Sequence, residues 1–284
     1  MNITLSNKFC SASINTKGAE LNSIKNSQTN TEYIWDGNPD FWGKHSPVLF
    51  PIVGALKDDC YFYEGKKYNL SRHGFARDFE FDVIESSSNA ASFLLKKNAQ
   101  IAAKYPFDFE LQMDYKLVDN SLILSYIIRN KSEVEMPFSF GAHPAFALTN
   151  SFEDYSLEFE KEENLVTHEL ENNLFSGETR SINLDKTNLP LTYSLFEKDA
   201  LVFKTIQSKK VTILENQKPL LKVNFEDFSS LGIWTIQNAP FICIEPWIGF
   251  ADDSTSNGNL FDKTNIQILK ENSSFEASFS IEIL

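Results

Sequence analysis

The sequence predicts an all-β protein built from many short antiparallel strands, hence a β-sandwich or a barrel-like sheet. Three observations predict it. Apolar and polar residues alternate through segment after segment, Asn- and Ser-rich punctuation separates those segments at short intervals, and stretches with helical spacing are scarce.

The N-terminal stretch MNITLSNKFCSASINTKGAEL alternates and turns polar at once, which is strand-like and unlike a secretion signal. NPDFWGKHSP (38–47) and NAQIAAKYP (98–106) each offer a short helical turn before a proline ends it. YFYEGKKYNL reads as a hairpin turning at Glu64-Gly65-Lys66. In PFDFELQMDYKLV, Phe107, Phe109, Leu111, Met113, Tyr115 and Leu117 share one face. After a turn at Asp119-Asn120, SLILSYIIRN places Leu122, Leu124, Tyr126 and Ile128 on one face, completing an antiparallel hairpin. YSLEFE, ALVFKTI, KVTILE, LLKVNF, GIWTIQ and FEASFSIEIL continue the pattern. No linker, fixed-period repeat or low-complexity segment divides the chain, so residues 1–284 are expected to form a single domain.

Composition narrows the function classes. The 284 residues are 42% hydrophobic and include 25 Phe and 9 Tyr, ample for one sizeable core. With 26 Lys and Arg against 39 Asp and Glu, the net charge is −13, which repels phosphate backbones and anionic headgroups. No nucleic-acid or membrane role is therefore expected, although a local basic pocket for a small anion stays open. No window approaches the roughly 18–20 apolar residues of a membrane span. Cys10, Cys60 and Cys243 are odd in number and widely spaced, which fits reduced thiols in a cytoplasm better than a disulfide framework or a cysteine zinc site.

Four histidines are candidates for chemistry. His168 lies in THELENN, a polar stretch that reads as exposed loop, and His45 follows an aromatic cluster in FWGKHSP, where a structural or rim role fits. None shows metal-ligand spacing, so no metal is expected. His73 sits in SRHGFARD between Arg72 and Arg77. The following glycine permits close backbone approach, and guanidinium forks suit hydroxyl, carboxylate or phosphate oxygens; a solvated surface loop is the competing reading. His143 in FSFGAHPAF is either a general acid–base group in a poorly hydrated aromatic setting or a core histidine bonded to a carbonyl. Glu245 in PFICIEPWIGF is one carboxylate in an apolar run, where burial demands pairing or a raised pKa. There is no G-x-S-x-G elbow, Walker loop or strand-linked G-x-G-x-x-G, leaving cofactor-free acid–base chemistry.

Taken in order, GAELNSI (18–24), EYIWDGNPDFWGKHSPVLFPIVG (32–54), YEGKKYNLSRHGFARD (63–78), GAHPAF and ICIEPWIGF resemble the aldose 1-epimerase (galactose mutarotase-like) superfamily over nearly the whole chain. The wording is closest to its LacX-like branch. The resemblance implies a large antiparallel supersandwich. It places Glu245 as catalytic base, His143 as general acid and His73 as a sugar-binding histidine, with Asp199 in FEKDALVFK as a looser match to a hydroxyl-binding aspartate. Where ordinary galactose mutarotases carry an Asn-Arg pair, this chain has Gly54-Ala55. SRHGFARD also resembles the hexose-6-phosphate 1-epimerase branch, in which Arg77 would face a phosphate with Arg72 or Lys57 helping. Trp247 is expected either to stack on a sugar ring or to pack in the core. The expected partner is a small sugar, a hexose or hexose phosphate, turned over without a cofactor by a monomer or homodimer; the alternative is a non-catalytic carbohydrate-binding or sensing protein.

Overall fold

The computed structural model describes residues 1–284 as two large antiparallel sheets with smaller ribbons around them. The larger sheet has nine strands, in the spatial order Asn188–Pro190, Tyr155–Phe159, Lys210–Glu215, Lys218–Asn224, Ser274–Ile283, Ser121–Asn130, Phe109–Val118, Ala90–Lys96 and Asp82–Ser86. The second sheet runs Leu201–Phe203, Ser230–Trp234, Phe241–Ile248, Phe140–Ala142 and Val48–Leu49, with Ala145–Ala147 also paired to Phe241–Ile248. Three N-terminal strands, Asn2–Ser6, Cys10–Asn15 and Glu20–Asn26, form a separate sheet.

The predicted hairpins form as read. Phe109–Val118 pairs with Ser121–Asn130 around Asp119-Asn120, and Leu122, Leu124, Tyr126 and Ile128 are all buried on one side. The Cys60–Tyr63 and Lys66–Asn69 hairpin turns on two residues, Glu64 and Gly65, both at positive φ; Lys66 already belongs to the strand. Of the two helical stretches, 98–106 yields the short helix Ala99–Ala102, capped by the Asn98 side chain accepting from the Ile101 amide. The 38–47 stretch supplies one turn, in which the Trp42 amide donates to Asn38 O at 2.9 Å.

One expectation fails. THELENN is not loop: residues 165–171 form a strand paired with Leu174–Ile182, and half-buried His168 lies within it. The strand was hidden because its inward positions are polar. Thr167 and Glu169 are buried, with the Arg180 Nε–H donating to Glu169 at 2.8 Å and the Val202 amide donating to the Thr167 hydroxyl at 2.9 Å. Outward-facing Val166 is exposed, so apolar alternation points the wrong way.

The two large sheets pack face to face through aromatic rings. Tyr126 of the larger sheet lies 5.0 Å from Phe140 of the smaller, and Phe275 lies 5.7 Å from Phe140. Along Phe241–Ile248, Ile242, Ile244 and Ile248 join this core. Cys243, Glu245 and Trp247 therefore project from the opposite face of the same strand. That outer face carries the polar constellation. No helix is long and apolar enough to cross a membrane.

Candidate functional site

Sheet register places the two most unusual residues together. Gly141 pairs with Trp247 and Ala145 with Cys243, so His143, midway between them, lies opposite Glu245. Pro144 interrupts the ladder between those two pairs, and the imidazole meets the carboxylate, His143 Nε2 to Glu245 Oε2, at 3.2 Å. On the far side of Glu245 the partner is Gly232. The Trp247 indole lies over both glycines: a Cβ on Gly232 would come within 2.7 Å of its ring, and one on Gly141 within 2.6 Å. The glycine of GAHPAF is thus where the sheet makes room for a tryptophan.

The aromatic setting expected around His143 exists, but tryptophans provide it. Phe138, Phe140 and Phe146 turn into the main core, while Trp42 stacks on the imidazole at 4.8 Å and Trp234 meets it edge-on at 5.8 Å. Trp42 and Trp234 were not singled out from the sequence. FWGKHSP carried a signal for the first; only the register, which sets Trp234 opposite Cys243, identifies the second.

His73 enters from the loop at 71–76. It adopts φ 66°, and Gly74 follows at φ 70° so closely packed that a Cβ there would lie 2.2 Å from Phe50 O. The His73 amide donates to Gly54 O at 2.8 Å, and the Gly54 amide donates to His73 Nδ1 at 3.1 Å. Its ring stands at right angles to His143, 5.8 Å away. Arg72 Nε lies 3.1 Å from His73 Nε2, so both ring nitrogens face N–H donors. A neutral imidazole accepts at only one nitrogen. The backbone amide is fixed and claims Nδ1; Nε2 then carries the proton, and Arg72 is the partner free to move.

Arg72 is the cation common to the whole site. Burial pushes the His73 and His143 pKa values down, His143 to about 3, and Arg72 adds to both effects. Burial pushes Glu245 well above the ordinary carboxylate range; Arg72 opposes that rise and Asp199 reinforces it. Burial therefore disfavours the charged forms of both partners and favours carboxylic acid beside imidazole. Of five buried side-chain polar atoms with no hydrogen-bond partner, three, His143 Nδ1, Glu245 Oε2 and Trp247 Nε1, lie in this cluster.

The remaining candidates divide. Asp199 sits at φ 80°, half-buried, its carboxylate accepting from the Ala200 amide and close enough to influence Glu245. Arg77 donates through Nη2 to the Arg72 carbonyl at 2.7 Å, so one of its N–H groups clamps the loop that presents His73. Lys57 is not brought to the histidines, its ammonium donating to Ser256 O at 3.3 Å. His45 is structural, its backbone amide donating to Glu20 and its carbonyl accepting from Ala145. Asn173, which the sequence gave no reason to notice, reaches from the turn of the Leu165–Ile182 hairpin to accept from Arg72 Nη1 at 2.7 Å. Cys243 was read only as a reduced thiol, though its two-residue spacing from Glu245 on a strand was a usable signal that the two share a face.

Comparison with known proteins gives a consistent answer. The family model for aldose 1-epimerase matches residues 1–254. The plasmid-encoded protein LacX of Lactococcus lactis is 33% identical, the match covering 100% of both chains. A galactose mutarotase related enzyme from Lactobacillus acidophilus superposes with a TM-score of 0.95 at 34% identity, covering 100% of this chain and 97% of that one. A galactose mutarotase-like protein from Lactobacillus casei superposes with a TM-score of 0.94 at 31% identity over 100% of both.

Proposed function

This chain belongs to the aldose 1-epimerase family, and on that premise we propose that it interconverts the α and β anomers of a hexose by acid–base ring opening and closure. The observation that carries the reading is the buried His143–Glu245 pair at 3.2 Å, cross-strand neighbours on the outer face of the sheet. A protein that only held or sensed a sugar would gain nothing from such a pair and would bear its desolvation cost.

In ring opening Glu245, as carboxylate, takes the proton of the C1 hydroxyl while His143, as imidazolium, gives one to the ring oxygen O5. The C1–O5 bond breaks and an aldehyde forms. Glu245 is then a neutral acid and His143 a neutral imidazole, the form that burial already favours. Rotation about C1–C2 presents the other aldehyde face. On closure Glu245 returns its proton to the carbonyl oxygen, His143 recovers the O5 proton, and the pair ends as it began. Arg72 acts on both partners, strengthening the His143 imidazolium as an acid and holding Glu245 toward the carboxylate form that the step requires. His73 Nε2–H donates to a sugar oxygen once Arg72 moves aside. Asp199 accepts from sugar hydroxyls, the Trp247 indole N–H faces Glu245, and Trp42 and Trp234 present apolar surface to the ring. Concerted acid–base help of this kind contributes about 10²–10⁴-fold.

Polarimetry on freshly dissolved α-glucose or α-galactose tests this. Glu245→Gln is expected to abolish catalysed mutarotation in a folded protein and His143→Asn to do nearly the same; full activity in Glu245→Gln sinks the reading. A hexose 6-phosphate is the second candidate substrate, favoured by one observation: the charges of both Arg72 and Arg77 act on the two histidines. A panel of anomerically pure aldoses and their 6-phosphates separates the two. Response to phosphorylated sugars only, with KM for them raised selectively by Arg77→Ala, decides for the phosphate.

A further inference from the structure

We propose that His143, Cys243 and Glu245 form a binding site for a thiophilic divalent cation, best matched by Zn²⁺, whose occupancy excludes sugar turnover. One donor atom from each of the three side chains lies within 4.8 Å of the other two, and all three residues are buried. The set is assembled by rigid sheet rather than loop. Cys243 and Glu245 are two residues apart on Phe241–Ile248 and share its outer face, while His143 is fixed opposite Glu245 by the register on either side. A tetrahedral zinc with bonds of about 2.0–2.3 Å keeps its donors roughly 3.3–3.8 Å apart. The His143–Glu245 separation of 3.2 Å is already close to that spacing, and the sulfur has to close in from within 4.8 Å.

The donor set selects the metal. One imidazole, one thiolate and one carboxylate suit Zn²⁺ or Co²⁺, whereas Mg²⁺ and Ca²⁺ require an all-oxygen shell. The Glu245 oxygen of that contact, Oε2, is buried and makes no hydrogen bond. Cys243 has no part in ring opening. The Cys10 and Cys60 thiols donate to backbone carbonyls at 3.8 and 3.9 Å, whereas no such contact engages Cys243, which is a free, fully buried thiol. On binding, the thiol proton and any proton held by Glu245 pass to solvent, and water completes the coordination. The metal then holds the lone pair and the carboxylate that acid–base chemistry needs. Arg72, Arg77 and Lys44 act on His143 as cations and oppose the metal, so the affinity is set against their charge.

The exclusion rests on the epimerase reading, but binding does not, and the two are measured separately. The full-length protein is stripped with a chelator and titrated with Zn²⁺, with Mg²⁺ as control. One Zn²⁺ per chain is expected to survive desalting, with no retention of Mg²⁺, and Co²⁺ is expected to give the near-ultraviolet thiolate-to-metal charge-transfer band. Cys243→Ala and the near-isosteric Cys243→Ser should each weaken Zn²⁺ at least tenfold and remove the cobalt band, while mutarotation of the metal-free variants stays at the wild-type rate. In the wild type, activity should fall with the same midpoint as Zn²⁺ binding and return with EDTA. Zn²⁺ bound equally well by both Cys243 variants, or not bound by the wild type, overturns the site. Full turnover at Zn²⁺ saturation overturns the exclusion. Absence of turnover in the metal-free protein counts against the epimerase reading, and the cobalt band then decides the site alone.

Discussion

At the scale of single residues, the site is governed by removal of charge from water. Glu245 is 1% exposed and its pKa lies well above 4.5, so the folded state retains a proton that the unfolded chain releases above that pH. Its contribution to stability is therefore fully present below pH 4.5 and declines as pH rises toward the folded value, by up to about 1.4 kcal/mol per pH unit. His73 and His143 act in the opposite sense: their folded pKa values lie below 6.5, so their contribution is complete above that pH and is lost on acidification, for His143 down to about pH 3. Glu245→Gln removes only the first effect. Its Tm relative to wild type should rise as pH increases above 4.5, as followed by circular dichroism; a difference independent of pH would show that Glu245 titrates normally. Legibility at this scale was uneven. Glu245 and the two histidines stood out because polar residues in apolar or glycine-flanked stretches demand compensation. Trp234 and Cys243 are apolar residues on an apolar strand, and nothing local marks which face of the sheet they occupy.

At the scale of elements, the hairpin Leu165–Ile182 deserves a functional reading that its sequence concealed. Its Asn172-Asn173 turn, with both residues at positive φ, brings Asn173 onto Arg72 at 2.7 Å. Arg72 in turn lies 3.1 Å from His73 Nε2, so the hairpin sets where the shared cation rests. Asn173 is exposed and contributes nothing to the core. Asn173→Ala should therefore leave the unfolding free energy within about 0.5 kcal/mol of wild type, as surface changes do. It should alter KM severalfold, with kcat less affected, because Arg72 loses its anchor. Unchanged steady-state kinetics on the best substrate of the sugar panel would remove the hairpin from the site. The strand at 165–171 was unreadable for a physical reason: its buried face is satisfied by the Glu169–Arg180 ion pair and the Thr167 hydrogen bond rather than by apolar contact. The Phe109–Asn130 hairpin was legible because burial there is wholly apolar.

At the scale of the whole molecule, the last strand is central although the family match ends at residue 254. Ser274–Ile283 lies inside the nine-stranded sheet, between Lys218–Asn224 and Ser121–Asn130, and buries Ala277, Phe279, Ile281 and Ile283. Burial of the three larger side chains contributes about 1.5–3 kcal/mol each. The sum is comparable with the entire stability of a typical fold, about 5–15 kcal/mol. Deletion of residues 274–284 should thus abolish cooperative unfolding and the near-ultraviolet circular dichroism of the packed aromatics. A sharp thermal transition in the truncated protein would contradict the assigned sheet order.

The sequence by itself determined the all-β class, most strand positions and the three residues whose chemistry is hard to explain as packing. Those follow from local rules, since alternation and the cost of burying polar atoms act within a few residues. Tertiary structure decided that His143 faces Glu245 across a strand pair, that Trp42 and Trp234 rather than phenylalanines enclose the imidazole, and that Arg72 is the cation shared by the cluster. These depend on register and on contacts between positions about a hundred residues apart. A one-residue change of pairing would turn Glu245 into the core, and no local pattern fixes that choice.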